Sequence, residues 1–340
     1  MISNSELRQD LVSGDWIVVA PSRRKRPRDT AAALPARVRI PREKCPFEDP
    51  QGNGNGEPLA VYPLRKNWQI QLIRNKYPVL AAHTEICPVA LRRGPYAIIP
   101  GRGYHELFIT RDHDNNFPKL TPRDAVGLFN AFQNRYRALA KDKCLSYILI
   151  FHNWGPMAGA SVYHPHYQLI AIPVIPPDVE HSLDGSKRYF KKHRRCVHCT
   201  MIAWEKKEKK RVVYENKKAI VVAPFVSRNS FELRVFPKNH TPYFEDTSPR
   251  DMELMVDAVQ RSLARIEKKL NDPDYNFFIH TAPVANKSRF SHYHWHIEIL
   301  PKTNIWAGFE LGTGIEIVGV DPDQAARLLR NTRPRLARLA

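Results

Sequence analysis

"HPHYQLIAIP" (164–173) and "HYHWHIEILP" (292–301) are the two stretches on which the reading of this chain turns. Laid against each other they match His164 with His292 and Pro173 with Pro301, an offset of 128 residues. Self-similarity at a fixed offset marks a duplicated structural unit. Further out, "TPRD" (121–124) begins eight residues after His113, and "SPRD" (248–251) begins eight residues after His240. Each predicts a helix start. Thr121 and Ser248 are good N-caps, Pro122 and Pro249 are tolerated in a first turn, and Asp124 and Asp251 suit the positive end of the helix dipole. Apolar residues at helical spacing follow: Val126, Phe129, Phe132 and Tyr136 in one copy, and Met255, Val259, Leu263 and Ile266 in the other. Tyr147 and Tyr275 then open the β-rich runs "YILIFH" and "YNFFIH", which end at His152 and His280. The landmarks keep an offset of 127 or 128, which predicts a duplicated α+β unit.

At 340 residues the chain is long enough for two lobes, and we expect a catalytic N-terminal lobe over 1–190 and a C-terminal lobe over 191–340. The start has no basic segment followed by an apolar one, and runs such as "YILIF" and "AIVVAPFV" are too short to span a bilayer. A soluble, cytoplasmic protein is expected. Five cysteines (Cys45, Cys87, Cys144, Cys196, Cys199) are an odd number spread thinly, so metal binding is expected rather than disulfide staples. The formal charge of +19 suits any polyanion and does not choose between nucleic acid, nucleotide and sugar phosphate.

The repeat sorts the ligand-type side chains into two sets of four: Cys196, Cys199, His240 and His292 in the second copy, and Cys45, Glu48, His113 and His164 in the first. Zinc favours such tetrahedral sets, in which a carboxylate can replace a thiolate. His198, inside "CVHC", is expected to be a solvated turn residue. His152 and His280 close apolar strands and suit either a satisfied core position or a site role.

On an extended chain His164, His166 and Gln168 point to one face. If metal holds His164, then His166 is the free histidine there, and a neutral imidazole is a good nucleophile toward phosphorus. "NWGPMAGAS" (153–161), just before it, is rich in small residues that let backbone N–H groups approach phosphate oxygens. The second copy has the bulkier "TAPVANKSRFS" there, so the first copy is expected to react. Gln168 does not relay a proton as histidine does, but its amide can donate to a phosphoryl oxygen, which favours transfer over hydrolysis.

"LVSGDWIVVAPSRRKRP" (11–27), "FHNWGPMAGASVYHPHYQL" (151–169) and "AGFELGTG" (307–314) resemble the galactose-1-phosphate uridylyltransferase family of the histidine-triad superfamily, along almost the whole chain. The resemblance implies two tandem histidine-triad-like lobes, each an antiparallel sheet with helices packed against it, and a homodimer whose active sites use both subunits. It also implies ping-pong exchange. His166 would attack the α-phosphorus of UDP-glucose, glucose 1-phosphate would leave, and the uridylyl group would pass to galactose 1-phosphate. Gln168, Asn153, Gly159 and Ser161 would surround the phosphates, Arg23 and Arg26 would contact the diphosphate, and Glu310 would bind sugar hydroxyls. Cys45, His113 and His164 match three zinc ligands of the family, and Glu48 stands where a second cysteine is common. Members with an iron-type second site carry a glutamate and a final H-x-H where this chain has Ser182 and His296-x-Glu298, so that site is expected to be absent. At the base-binding segment, Asn75, Lys76 and Tyr77 replace an Asn-Asp-Phe pattern.

Two other readings compete. A nucleoside-diphosphate-hexose phosphorylase, acting for instance on ADP-glucose, would use the same residues with inorganic phosphate as acceptor. A non-catalytic nucleic-acid-binding protein would use "RRKRPR" (23–28), "KRYFKKHRR" (187–195) and "KKEKKR" (206–211), although no aromatic platform is interleaved with them.

Overall fold

The computed structural model describes residues 5–25, 37–64, 67–82 and 86–334. The first half runs β1 (Glu6–Gln9), β2 (Trp16–Val19), β3 (Ala60–Tyr62), β4 (Ile70–Arg74), β5 (Ala81–Ala82), β6 (Leu91–Arg93), β7 (Tyr96–Ile98), β8 (Arg102–Thr110), α1 (Pro122–Leu139), β9 (Tyr147–Trp154) and β10 (His166–Ile172). The second half continues with α2 (Pro177–His193), α3 (Val197–Glu208), β11 (Val212–Glu215), β12 (Ala219–Val222), β13 (Leu233–Pro237), α4 (Pro249–Leu270), β14 (Tyr275–His280), β15 (His296–Pro301), α5 (Gly308–Thr313), β16 (Ile317–Val318) and α6 (Pro322–Arg330).

The paired helices begin where the caps place them. Thr121 Oγ1 accepts the Asp124 N–H at 3.1 Å, and Ser248 Oγ accepts the Asp251 N–H at 3.2 Å. Helices α1 and α4 cover one face of a sheet ordered β11-β12-β13-β15-β14-β9-β10-β8-β4-β3, with β5 beside β8. The sheet is continuous because β9 and β14 pair antiparallel, with Phe151 opposite Phe278. Under the helices the strands bury Ile148, Ile150, Tyr167, Leu169, Phe277, Ile279 and Ile297 against Phe129, Phe132, Met255, Val259 and Leu263. Burying each such side chain contributes roughly 1.5–3 kcal/mol.

One glutamine on each long helix reaches into the other half. Gln133 Nε2 donates to the Phe244 and Thr247 carbonyls, both at 3.0 Å. Gln260 Nε2 donates to the Phe117 and Leu120 carbonyls at 3.3 and 3.0 Å. Each partner sits 127 residues from its counterpart (117 to 244, 120 to 247, 133 to 260), so the two halves exchange equivalent bonds. The boundary expected after residue 190 falls inside α2.

A smaller sheet, β1-β2-β16, packs Ile17, Val19 and Val318 on Val226. The cysteine reading needs one correction, because Cys87 and Cys144 form a disulfide with Cα atoms 5.0 Å apart. Their 57-residue separation carries no spacing signal, and only the fold brings them together. The basic runs 187–195 and 206–211 lie at the C-terminal ends of α2 and α3, where cations complement the helix dipole.

Candidate active site

Strand β10 lies between β8 and β9, and its alternation decides which side chains reach the site. Tyr167, Leu169 and Ala171 enter the core under the helices, leaving His166, Gln168 and Ile170 on the opposite face. His166 Nδ1 lies 2.9 Å from the His164 carbonyl. A carbonyl can only accept, so Nδ1 carries the hydrogen and Nε2 keeps its lone pair. Burial pushes the His166 pKa below its ordinary value, so the imidazole is neutral at pH 7. The Phe47 ring packs edge-on against it at 5.1 Å.

The glycine-rich loop continues from β9. Gly155 (φ +83°) and Gly159 (φ +87°) take left-handed conformations, and a Cβ at Gly155 would meet Asp274 Oδ1 at 1.9 Å. Asp274 anchors this loop from the other half: its Oδ2 accepts the Met157 N–H at 2.7 Å while Oδ1 accepts from Arg37 Nε at 2.9 Å. Asn276 Nδ2 donates to Asn153 Oδ1 at 2.8 Å, which leaves the Asn153 amide nitrogen as its donating end. Ser161 is exposed at the end of the loop.

Asn75 and Lys76 follow β4. The Asn75 amide nitrogen lies 3.0 Å from His105 Nε2, and Lys76 Nζ donates to the Asn53 carbonyl at 3.1 Å. Arg23 sits in the 3-10 turn Pro21–Lys25 after β2, and Glu310 on α5 accepts the Ala307 N–H at 3.0 Å. Among the described residues, neither makes a hydrogen bond or ion pair to β10 or the glycine loop. Arg26 lies outside the described residues.

Two groups of ligand-type residues converge. Cys45, His113 and His164 present ligand atoms within 4.8 Å of one another, with Cys45 Sγ 3.5 Å from His164 Nδ1. Glu48 Oε1 stands 3.1 Å from His113 Nδ1 and 3.8 Å from His164 Nδ1. In the second half the group is Cys196, Cys199, His240 and His294, with Cys199 Sγ 3.5 Å from both His240 Nδ1 and His294 Nδ1. All four histidines direct Nε2 at a backbone carbonyl: His113 at Ile40, His164 at Thr110, His240 at Ser291 and His294 at Pro237, over 2.7–2.9 Å. Each Nε2 therefore donates, and each Nδ1 lone pair turns toward the ligand cluster, as a metal-ligating histidine requires. Buried Glu48 Oε1 and His113 Nδ1 face each other and have no hydrogen-bond partner. Both sets suit zinc, whose ordinary bond lengths put sulfur and nitrogen ligands about 3.5 Å apart, the second offering four converging ligands and the first three.

The second set corrects the repeat alignment, with His294 taking the place expected for His292. His292 is buried instead beside Phe190, with Nε2 unpartnered. Eleven residues separate His152 from His164, but thirteen separate His280 from His294. A slip of two leaves every side chain on the same strand face, so the H-x-H-x-H pattern matches equally well in either register. The counterpart of His166 is accordingly His296, whose Nδ1 lies 3.1 Å from the His294 carbonyl, and that of Gln168 is Glu298. His198 also departs from expectation, being buried in α3 with both ring nitrogens unpartnered and its ring 5.0 Å from that of His296. His152 is a core histidine, fully buried, with Nδ1 donating to the His166 carbonyl at 2.7 Å.

A family model for the N-terminal domain of galactose-1-phosphate uridyl transferase matches residues 1–176, and one described only as a domain of unknown function matches 99–336. ADP-glucose phosphorylase from Arabidopsis thaliana is 33% identical over 328 residues, covering 96% of this chain and 92% of its own. Galactose-1-phosphate uridylyltransferase from Thermotoga maritima is 27% identical over 336 residues, covering 96% and 98%. The crystal structure of the Arabidopsis phosphorylase with bound ADP-glucose superposes with a TM-score of 0.82 at 29% identity, covering 97% of this chain and all of that one. The chain belongs to the galactose-1-phosphate uridylyltransferase family. It is an enzyme of that nucleotidyltransferase family, with the family's mixed α+β fold.

His280, His296 and Glu298 form a third group, with ligand atoms within 4.8 Å of one another. Arg228 holds the Glu298 carboxylate at 2.7 Å and Arg234 holds it at 3.1 Å. Burial alone would raise the Glu298 pKa, but Arg234 and Arg228 outweigh it and keep the carboxyl well below its ordinary range. This donor set is committed to guanidinium groups and fits a divalent ion poorly. A cavity of about 900 Å³ opens over it and extends to Asn276 and Met157 beside the glycine loop.

Proposed function

We propose that the protein transfers a nucleotidyl group from a nucleoside-diphosphate-hexose through a covalent intermediate on His166. The observation that carries this reading is the His164 carbonyl fixing His166 Nδ1, which leaves a neutral Nε2 on the open face beside Gln168. Nε2 attacks the α-phosphorus, the bond from that phosphorus to the oxygen of the hexose 1-phosphate breaks, and the sugar phosphate departs. The acceptor's oxygen then attacks the same phosphorus and frees the histidine. The Gln168 amide suits the charge that gathers on the equatorial oxygens. Zinc in the two cysteine-bearing sets would cross-link distant segments, and in the first set, through His164, it would hold the strand that carries His166.

Of the two acceptors foreseen, inorganic phosphate comes first, with ADP-glucose as donor. The 33% identity and the TM-score of 0.82 to a phosphorylase support it. Uridylyl exchange between UDP-glucose and galactose 1-phosphate is the second reading, supported by the family match and the Thermotoga relative. A homodimer belongs to this proposal, because exposed Ile305, Trp306, Phe309 and Leu311 flank Glu310 on a surface that suits a partner copy.

The test incubates the enzyme with label in the nucleotide of ADP-glucose or UDP-glucose and then adds phosphate or galactose 1-phosphate. Label should become covalently bound to wild type and to His296→Ala but not to His166→Ala, and phosphate should release it as ADP. Release only by galactose 1-phosphate would reverse the order of the readings, and label on His296 would overturn the assignment. Light scattering should give about twice 39.3 kDa.

A further inference from the structure

Strand β8 carries a histidine on the same sheet face as Gln168. His105 stands opposite Ile170 in the antiparallel ladder, so Gln168 is its diagonal neighbour two residues along β10. The ring is 8% exposed. The Val79 N–H, which can only donate, lies 3.2 Å from His105 Nδ1. Nδ1 therefore keeps its lone pair and Nε2 carries the hydrogen. That Nε2 lies 3.0 Å from Gln168 Oε1, so the glutamine oxygen is the acceptor. An amide whose oxygen is engaged in this way has its NH2 end left to offer the open face. With Nε2 protonated, the Asn75 amide nitrogen can donate only to Nδ1, at 3.4 Å, and its 3.0 Å approach to Nε2 is a contact between two donors, while Asn75 Oδ1 accepts the Tyr77 N–H at 2.8 Å. One imidazole thus joins the 75–79 turn to Gln168.

We propose that His105 is a positioning residue for nucleotidyl transfer. Its Nε2–H locks Gln168 with the amide NH2 toward the phosphoryl oxygens, and the 75–79 turn locks His105. A glutamine amide turned by half a rotation would present an oxygen to those oxygens, and the two orientations fill nearly the same space. Without the histidine, the donor that favours the transition state is present in only part of the population. The inference rests on the proposed transfer through His166.

The experiment is single-turnover labelling of the whole enzyme with a nucleoside-diphosphate-glucose, using His105→Phe, His105→Gln, Gln168→Ala and the double variant His105→Phe/Gln168→Ala. His105→Phe should slow labelling by about tenfold or more with the donor KM within about threefold, since loss of one such donor costs on the order of 100-fold. His105→Gln, which keeps a side-chain N–H at similar reach, should recover most of the rate. In the Gln168→Ala background, His105→Phe should cost less than about twofold, because a residue that acts only through its neighbour shows full coupling. Losses that multiply in the double variant, a His105→Phe enzyme as fast as wild type, or a His105→Gln enzyme as slow as the phenylalanine variant would each overturn the proposal. Should wild type take up no label, the transfer through His166 fails first and the inference falls with it.

Discussion

Which nitrogen of His166 faces the site is decided by one carbonyl, that of His164, and His164 is itself held by Thr110 and the Cys45 group. The two cysteine-bearing sets would consequently differ in what they support. Cys45→Ser should remove one zinc and slow nucleotidyl labelling, because it loosens the residue whose carbonyl selects the reactive tautomer. Cys199→Ser should also remove one of about two zinc ions per chain, yet label at the wild-type rate and lose stability instead. Metal analysis and a labelling time course on the same samples check both, and a Cys199→Ser enzyme as slow as Cys45→Ser would contradict the division. The residues proposed for this chemistry could be picked out where spacing along one strand carries meaning, as at His164, His166 and Gln168. His105 and Asn276 escaped notice because their roles come from neighbouring strands, and a sequence does not show which strands pair. His294 was missed for a narrower reason: three histidines on one face make two registers look alike.

The helices were legible as elements from cap, first-turn proline and apolar stripe together, and both start where those signals put them. What such a stripe does not reveal is how deep the polar residues at its border lie. Glu267 is a case on α4: its side chain is 12% exposed, with Lys119 Nζ 4.0 Å away. Burial, with Lys119 opposing it, raises the carboxyl from 4.5 to about 7. Between those values the folded state keeps a proton that the unfolded chain has released, so stability falls as pH rises through that window. At 1.36 kcal/mol per unit, the loss by pH 8 is roughly 2–4 kcal/mol. Glu267→Gln should match wild type in urea unfolding near pH 4, below the window, and exceed it by about that amount at pH 8. A constant difference across the range would rule this out. The β1–β2–β16 sheet and the exposed β6–β7 hairpin were not foreseen, since strands of two to four residues carry too few positions for an alternation to register.

Across the whole molecule the duplication was legible from its offset, whereas the fusion of its halves into one sheet was not, because nothing local marks β9 and β14 as each other's neighbours. The reciprocal bonds of Gln133 and Gln260 predict a common cost. Gln133→Ala and Gln260→Ala each remove a donor from two buried carbonyls, of which Phe244 and Phe117 keep the Thr247 and Leu120 N–H, and each should lower stability by about 1–3 kcal/mol in a single cooperative transition. Two separate unfolding steps would mean that the halves stand alone. The seam between β9 and β14 has a further consequence. Each half closes the other's open edge, and Asp274 and Asn276 brace the reacting loop from across it. The second half therefore need not perform chemistry to be indispensable. With a longer segment where the first half has its glycine loop, and Glu298 in the place of Gln168, that half serves as a scaffold for its twin.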